Sequence, residues 1–292
     1  MPVENAVVKP LEDSREFELS HADFDRVRML IYKHAGISLS QSKREMVYSR
    51  LSRRLRERGL TSFSRYLDLL ADGDAGEWET FTNALTTNLT AFFRESHHFP
   101  ILADHVKTRA AYGRVELWCS AASTGEEPYS IAMTVVEALG SFTPPVRIIA
   151  TDVDTQVLAK ADAGVYPMEG LEKMPREQVE RFFLKGKGAR AGFARVRPEL
   201  RALINFRPLN LLNRTWPLRG PFDAIFCRNV MIYFDKPTQR RILERFAPLL
   251  NPGSLLFAGH PESFQHAADL FLPRGKTVYG LTSSPNARPH HA

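Results

Sequence analysis

The sequence predicts an α/β protein in which a small helical domain precedes a domain built on a parallel sheet with an inserted antiparallel β-hairpin. Three observations support this fold class. The first 85 or so residues show only helical periodicity, whereas short apolar runs alternate with helical segments from about residue 115 onward. A glycine-containing interval between about residues 164 and 202 interrupts that alternation. The length of 292 residues allows one large domain or two modest ones, each with its own core.

The helical domain is placed at residues 19–87 and is expected to hold four amphipathic helices. Ser20 is suited to cap the first helix, and Gly36 is suited to end it. The polar segments 1–18 and 285–292 lack periodicity and are predicted to be disordered. The three later helices are expected at Ser42–Arg58, Thr61–Leu70 and Gly76–Leu85.

The second domain is placed at residues 88–284 and alternates strands with helices. Such alternation predicts a parallel sheet covered by helices on both faces, with ligands bound outside the carboxyl ends of the strands. Helices are expected from Pro128, Thr155 and Lys236. The predicted strands are Val115–Cys119, Val146–Thr151, Leu203–Leu209, Phe222–Cys227, Ser254–Gly259 and Thr277–Leu281.

The interruption is interpreted as an inserted β-subdomain at about residues 170–202. Two apolar segments, Val179–Leu184 and Phe193–Val196, flank Gly186, Gly188 and Gly192. Strands joined by a glycine-rich connection are typical of a hairpin.

The net charge of +6 and the pI of about 9.4 favour an acidic partner, which could be nucleic acid, anionic lipid or acidic protein. The excess is concentrated in two patches: Lys43–Arg58 carries a net +5 and Lys173–Arg207 a net +7. Cys119 and Cys227 are far apart and offer no metal-binding spacing. We therefore expect no bound metal. No apolar run is long enough to span a bilayer, so we expect a cytoplasmic protein without membrane insertion.

The turn after the first predicted strand carries the first sign of a cofactor. Small residues follow Cys119 and lead into Glu126 and Glu127 at the start of a helix, without the G-x-G-x-x-G pattern. Two carboxylates there would repel a pyrophosphate and suit a ligand with cationic and hydroxyl groups. Asp152 ends the next strand, from which an acidic side chain can accept hydrogen bonds from ribose hydroxyls. S-adenosylmethionine has this chemistry; the ordinary alternatives are a helix N-cap for Asp152 and dipole complementation for the glutamates.

Four runs of residues give the sequence a specific resemblance. In this order along the chain, they closely resemble motifs of the bacterial chemotaxis receptor glutamate methyltransferases, the CheR family. The resemblance extends from the helical domain to the last strand. The runs are Asn88-Leu89-Thr90-Ala91-Phe92-Phe93-Arg94-Glu95, Ala122-Ser123-Thr124-Gly125-Glu126-Glu127-Pro128-Tyr129-Ser130, Asn210-Leu211-Leu212 and Cys227-Arg228-Asn229-Val230-Met231-Ile232-Tyr233-Phe234.

The resemblance implies a Rossmann-like S-adenosylmethionine-dependent methyltransferase domain and assigns residues to its site. Arg94 and Tyr233 are the candidates for organising the reacting carboxylate. Taken without the resemblance, Asn229 could form a loop turn, Asn210 a helix cap and Tyr233 part of the core. The implied cofactor-binding residues are Asn88, Thr90, Arg94, Glu127, Asp152, Asn210, Leu211, Asn229 and Val230.

The reaction that the resemblance implies is methyl transfer to glutamate side chains of methyl-accepting chemotaxis receptors, giving γ-methyl esters and S-adenosylhomocysteine. The expected protein is a monomer that is recruited from the cytoplasm to membrane receptor arrays and does not bind nucleic acid. The receptor-docking residues are expected to be Arg50, Arg53, Arg54 and Arg58, opposite a glutamate-rich receptor helix. A receptor C-terminal pentapeptide is expected to add a strand to the β-subdomain at Gly186, Gly188, Arg190, Gly192, Arg195 and Arg197.

Two other function classes stay open at this point. An RNA or small-molecule methyltransferase would use the basic patches to grip phosphate, although the cationic helix lacks interleaved aromatic residues for stacking. A non-catalytic module that only senses S-adenosylmethionine would not need Arg94 or Tyr233. The loop Arg228-Asn229-Val230-Met231 lacks the Asn/Asp-Pro-Pro-aromatic pattern of many amino-group methyltransferases, which disfavours methylation of nitrogen.

Overall fold

The computed structural model describes residues 15–282, so the predictions for residues 1–14 and for the tail from residue 283 lie outside the described residues. Residues 15–18 depart from the predicted disorder. Phe17 is buried with its ring 6.4 Å from that of Phe63, and Glu16 lies 2.8 Å from Arg56. An aromatic anchor therefore holds this segment to the helical domain.

The helical domain has the predicted four helices around a core of its own. Ser20 caps the first helix through a capping box with Asp23, and Gly36 ends it with φ at 71°, which confirms both predictions. A short 3₁₀ turn, Gln41–Lys43, takes the place of the predicted first residues of the second helix. The helices are α1 (His21–Ala35), α2 (Arg44–Glu57), α3 (Phe63–Ala71) and α4 (Ala75–Leu85).

The α/β domain is built on a seven-stranded sheet in which every predicted strand is confirmed in place. Helix α5 (His98–Ala110) and strand β9 (Phe271–Gly275) were missed. The further strands of this sheet are β1 (Val115–Cys119), β2 (Val146–Asp152), β6 (Ile204–Pro208), β7 (Phe222–Cys227), β8 (Leu250–Ala258) and β10 (Val278–Leu281). The further helices are α6 (Glu126–Leu139), α7 (Thr155–Ala163), α8 (Arg176–Phe182), α9 (Pro198–Arg201) and α10 (Lys236–Phe246).

The strand order β6-β2-β1-β7-β8-β10-β9 creates a switch point at β1. Strands β6, β2, β1, β7 and β8 are parallel, whereas β10 is antiparallel to both of its neighbours. The chain runs from β1 outward to β2 on one side and later returns to β7 on the other. The loops that follow these three strands therefore converge at one edge of the sheet, where doubly wound folds bind ligands.

The inserted subdomain is a three-stranded antiparallel sheet, not the predicted two-stranded hairpin. Its order is β3 (Val165–Pro167), β5 (Phe193–Val196) and β4 (Phe183–Lys185), so it begins before the predicted boundary at about residue 170. The predicted strand Val179–Leu184 is wrong for its first four residues, which belong to helix α8. Pro175 precedes that helix and Arg176 pairs with Glu180 one turn later, so local helix signals outweigh the apolar run.

Within residues 15–282, no helix is long and apolar enough to cross a membrane.

Candidate cofactor and active site

A cavity of about 510 Å³ opens where the loops after β1, β2 and β7 converge. It is lined by all of the predicted cofactor residues and by Tyr233, so the fold brings together groups that are up to 145 positions apart in the sequence. Those residues are Asn88, Thr90, Arg94, Glu127, Asp152, Asn210, Leu211, Asn229, Val230 and Tyr233.

The turn between β1 and α6 places Glu127 beside this cavity. Gly125 precedes the helix with φ at 102°, and a Cβ there would come within 2.5 Å of the Tyr166 hydroxyl, so glycine is required. Glu127 Oε2 lies 2.9 Å from Arg228 Nη1, and the Cys119 thiol donates to Oε1 at 3.3 Å. Burial nevertheless raises the pKa of Glu127, because loss of hydration outweighs the attraction of Arg228. The negative charge of Glu127 is therefore only partly balanced by its neighbours, and a cationic group of a ligand would stabilise it.

Asp152 is held at the end of β2 by backbone donors. Its oxygens accept hydrogen bonds from the N–H groups of Ser123 at 2.8 Å and Asp154 at 3.0 Å. Burial raises the pKa of Asp152 to about 6, against the lowering effect of those donors. The side chain is 9 % exposed and faces the cavity, where its remaining acceptor capacity can meet hydroxyl groups.

The linker between the domains wraps over the cavity and is fixed to the turn after β2. The Asn88 amide and the Thr86 hydroxyl both donate to Asp154 Oδ2, at 2.9 and 2.8 Å. Arg94 donates to the carbonyl of Leu89 at 2.8 Å, and its half-buried guanidinium lines the cavity. The predicted closing segment is therefore ordered over the cavity by its own polar contacts.

The two later loops use their asparagines in different ways. Asn210 accepts from the N–H of Leu212 at 2.9 Å and donates to the carbonyl of His34 at 2.8 Å, so it joins the two domains. Asn229 has φ at 57°, in the left-handed region, and donates to Glu95 Oε1 at 3.1 Å. The turn interpretation of Asn229 is thus correct, and its side chain still lines the cavity.

The helical domain supplies part of the cavity wall, which the sequence did not reveal. Ser38, Lys43 and Met46 all line the cavity. The N–H of Ser38 donates to the carbonyl of Tyr233 at 2.9 Å, and the Tyr32 hydroxyl donates to Asp235 at 2.6 Å. Helical periodicity shows which side chains pack in a domain but not which face a second domain.

Arg228 is the main residue that the prediction missed. Its side chain is fully buried, 2.9 Å from Glu127 and 3.5 Å from Glu95, and it also donates to the carbonyl of Arg94. Its Nε and Nη1 atoms have no hydrogen-bond partner among the described residues. The only sequence signal was its place in the run Cys227–Phe234.

Glu95 belongs to a group with His97 and His98 in which one potential ligand atom from each lies within 4.8 Å of the others. Hydrogen bonds from Asn229 and the His260 N–H, with Arg228, outweigh the opposing effect of burial and lower the pKa of Glu95. Burial lowers the pKa of His98 to about 4, so its ring is neutral near pH 7. The guanidinium of Arg228 supplies the positive charge beside this carboxylate.

The predicted docking arginines are not a free cationic stripe, and this expectation needs correction. Arg54 donates to Glu77 at 2.5 and 2.6 Å, and Arg58 lies 3.4 Å from the same carboxylate. Arg50 donates to the carbonyls of Ala84 and Thr86 at the end of α4. Only Arg53 of the four is largely exposed, at 80 %. The sequence alone did not indicate that Glu77 and Asp74, which lie outside the predicted helix Ser42–Arg58, pair with its arginines.

The predicted tether residues lie in the connection from β4 to β5, on β5 and directly after it. Gly188–Arg190 forms a 3₁₀ turn between the strands, and a Cβ at Gly186 would come within 2.1 Å of the Arg190 carbonyl. Arg195 is exposed on β5, whereas Arg197 donates to the carbonyl of Arg181 at 2.7 Å. Gly192 has φ at 89°, which favours glycine. All six residues lie within 11 positions of one another in the sequence.

Comparison with known proteins gives this architecture a family. Residues 22–86 match the family described as "CheR methyltransferase, all-alpha domain", and residues 88–279 match "CheR methyltransferase, SAM binding domain". The chain belongs to the CheR methyltransferase family. The family resemblance, the α/β fold and the S-adenosylmethionine cofactor that the sequence predicted are thereby confirmed.

Three curated relatives are similar over nearly their whole length. A chemotaxis protein methyltransferase of Klebsiella aerogenes is 58% identical over 92% of this chain and 92% of its own. Chemotaxis protein methyltransferase 2 of Pseudomonas aeruginosa is 57% identical, over 92% of this chain and 96% of its own. The chemotaxis protein methyltransferase of Escherichia coli is 54% identical, over 93% and 95%.

The residues of the cavity fit this cofactor. Its volume is within the range of small-molecule sites, at about 300 to 1,000 Å³. Asp152 offers acceptors for ribose hydroxyls, and Glu127 offers acceptors for an ammonium group. The negative charge of Glu127, only partly balanced by Arg228, favours a cation.

Proposed function

We propose that this CheR-family protein methylates glutamate side chains of chemotaxis receptors, giving γ-methyl esters. The observation that carries the proposal is the joint placement of Arg94 and Tyr233 with the cofactor-binding residues around one cavity. The names of the curated relatives support a role in chemotaxis. A glutamate acceptor gives the Arg94 guanidinium and the Tyr233 phenol a carboxylate to bind in the cavity that they line.

Methyl transfer to a carboxylate requires little proton transfer by the protein. A glutamate side chain with a pKa of about 4.3 is already ionised near pH 7, so a general base is not required. Bound S-adenosylmethionine supplies an electrophilic methyl group. The contribution of the protein is orientation, which can account for a large part of a reaction barrier.

Arg94 is proposed to hold the acceptor carboxylate by charge-assisted hydrogen bonds. Its guanidinium donates to the Leu89 carbonyl at 2.8 Å through Nη1, which fixes its direction and leaves other N–H groups available. Tyr233 is proposed to aim the same carboxylate from the opposite loop. Its backbone is fixed by Ser38 of the helical domain.

The decisive experiment incubates the protein with S-adenosylmethionine labelled on the methyl group and a receptor cytoplasmic fragment. Label that is released by mild base identifies a carboxyl ester. A base-stable label, or label in RNA in a parallel incubation, would contradict the proposal. Arg94→Ala should reduce turnover strongly, and Arg94→Lys is the control that retains charge without the forked geometry.

Docking of the receptor is proposed to use Arg53, with Arg50, Arg54 and Arg58 holding the helix that presents it. Arg53 donates to Glu57 at 3.0 Å but is 80 % exposed, which makes it the most exposed positive charge of the group. Electrostatic docking of this kind speeds association and weakens with salt.

Recruitment through a receptor C-terminal pentapeptide is proposed at the β-subdomain. Support comes from the edge position of β4 and from Leu184 and Phe193, whose apolar side chains are exposed. An added strand would gain backbone hydrogen bonds, and tethering raises the effective concentration of substrate. Calorimetry with the pentapeptide tests this: no heat of binding, together with equal methylation of tailed and tailless receptors, would overturn it.

A further inference from the structure

A buried glutamate outside the predicted site holds the loop that carries Asn229 and Val230. Glu262 accepts hydrogen bonds from the backbone N–H groups of Asn229 at 3.0 Å and Met231 at 2.7 Å, and also from that of Gly259. Glu262 is only 5 % exposed, and its burial raises its pKa in spite of these donors. Three backbone donors on one carboxylate leave the two turns little freedom to move apart.

The loop that Glu262 holds includes a left-handed backbone conformation at Asn229. Asn229 lies at φ 57°, in a region that costs free energy for residues other than glycine. The Asn229 amide in turn donates to Glu95 Oε1, so a change in its backbone would also move a contact of the segment around Arg94. Asparagine tolerates this region better than most residues, and the hydrogen bonds from the N–H groups of Asn229 and Met231 to Glu262 hold the loop in it.

Packing behind the loop supports the same conclusion. A Cβ added at Gly259 would lie 2.4 Å from Asn229 Nδ2 and 2.7 Å from Asn229 N, so the turn after β8 touches the loop after β7 directly. Glu262 spans this contact and receives a donor from each side of it. The side chain does not line the cavity, and its effect on a ligand would have to pass through the loop.

We propose that Glu262 is a positioning residue that sets the loop from Asn229 to Met231 for binding of S-adenosylmethionine. This inference rests on the proposed contact of Asn229 and Val230 with the cofactor. It extends the site to a carboxylate whose negative charge is used on backbone donors rather than on the ligand.

The test compares Glu262→Gln with a matched buried carboxylate on β7, the strand that leads into the loop. In Glu262→Gln the amide group turns a donor toward one of the three N–H groups, so that N–H loses its acceptor. Asp223 is the control because it is buried at the amino end of β7, where it accepts from the N–H of Glu116 at 2.9 Å and from Arg109 at 2.7 Å. Asp223→Asn should disturb stability at the end of the strand far from the cavity.

Binding of S-adenosylhomocysteine is measured by calorimetry, and the thermal midpoint of each ligand-free variant is measured separately. We expect Glu262→Gln to bind about tenfold more weakly, which corresponds to one buried N–H without its acceptor, while Asp223→Asn binds normally. Equal affinity of Glu262→Gln and the original protein would overturn the inference even if its midpoint falls, because stability alone would then be affected.

Two further variants keep the outcomes distinct. If Glu262→Gln does not fold, Glu262→Asp carries the same comparison, since it keeps the charge but is one methylene shorter. Asn229→Ala tests the contact on which the inference rests. Normal binding by Asn229→Ala would remove the assigned cofactor contact and the inference with it, whereas weak binding by Asn229→Ala and normal binding by Glu262→Gln would overturn the inference alone.

Discussion

Two arginine–carboxylate clusters in the molecule differ in how completely their polar atoms are paired. In the helical domain, Glu77 is 1 % exposed and accepts from Arg54 twice and from the Tyr66 hydroxyl at 2.9 Å. At the cavity, Arg228 lies between Glu127 and Glu95, and its Nη1 is in an ion pair with Glu127 at 2.9 Å without the geometry of a hydrogen bond. Arg228 Nε and one Glu95 oxygen also lack hydrogen-bond partners among the described residues.

The two clusters also shift carboxyl pKa values in opposite directions. Burial opposes ionisation in both places, but the hydrogen bonds to Glu77 outweigh it and lower the pKa of Glu77. Burial dominates at Glu127 and raises its pKa. A completed cluster stabilises the fold, whereas an incomplete one keeps a charge available for a ligand.

Glu77→Gln gives the largest expected effect. Removing one charge of a buried pair should lower the free energy of unfolding by about 3 kcal/mol, because Arg54 loses its main partner. Urea denaturation measures this change, and Glu57→Gln on the exposed side of Arg54 is the control with little expected effect. Affinity for S-adenosylhomocysteine should not change; a large loss would mean that both clusters serve the cofactor.

Glu127→Gln should weaken cofactor binding and leave stability unchanged, which is the opposite of the result expected for Glu77→Gln. We expect roughly 100-fold weaker binding of S-adenosylhomocysteine, close to the loss of one charge-assisted hydrogen bond of about 3 kcal/mol. The ligand-free protein should keep its stability, since ionisation of this buried carboxyl is already unfavourable. Calorimetry measures the affinity and urea denaturation measures the stability. Reduced stability with normal affinity would contradict the proposed difference between the two clusters.

The pKa of Asp152 predicts a pH dependence of cofactor binding. The ligand-free pKa of about 6 is above the usual value of 3.8, so the ionised acceptor is lost as pH falls below 6. Affinity for S-adenosylhomocysteine should then fall by up to about tenfold per pH unit. In the same window, from about pH 4 to 6, the stability of the ligand-free protein should decrease as pH rises, because the folded state holds the extra proton.

Asp152→Asn is the control for that titration. It should bind weakly at every pH and lose the part of the pH dependence with a midpoint near 6. Glu127 also titrates in this cavity, so an unchanged profile in Asp152→Asn would assign the dependence to Glu127 instead.

Arg53→Ala should give the smallest effect. Arg53 is exposed beside the completed cluster, so its removal should leave the unfolding midpoint unchanged. Methylation of receptor fragments should slow severalfold at low ionic strength and approach the original rate at high salt. Lys107→Ala, on an exposed part of α5, is the matched loss of charge; equal slowing by both variants would argue against a docking role for Arg53.

The sequence was informative where local signals coincide with a rule of the fold. Asp152 and Glu127 could be placed at one edge of the sheet because parallel strands bring their carboxyl ends together. Asn210 and Asn229 depended on the motif resemblance, since an asparagine in a loop has several ordinary uses.

Contacts between distant segments were not predictable from patterning. Glu77 neutralises Arg54 from 23 positions away, and Glu262 reaches Asn229 from 33 positions away. In the β-subdomain, the apolar run Val179–Leu184 was too short to distinguish a single strand from the end of a helix followed by a strand.

A cofactor bound against the part of the cavity wall formed by Ser38, Lys43 and Met46 would have a mechanical role as well as a chemical one. A ligand that contacts two domains opposes their separation with its own binding free energy, which at a concentration of 100 times Kd is about 2.7 kcal/mol. The cofactor and its demethylated product would both act as a clamp between the domains. The cohesion of the molecule would then follow the cellular supply of the cofactor.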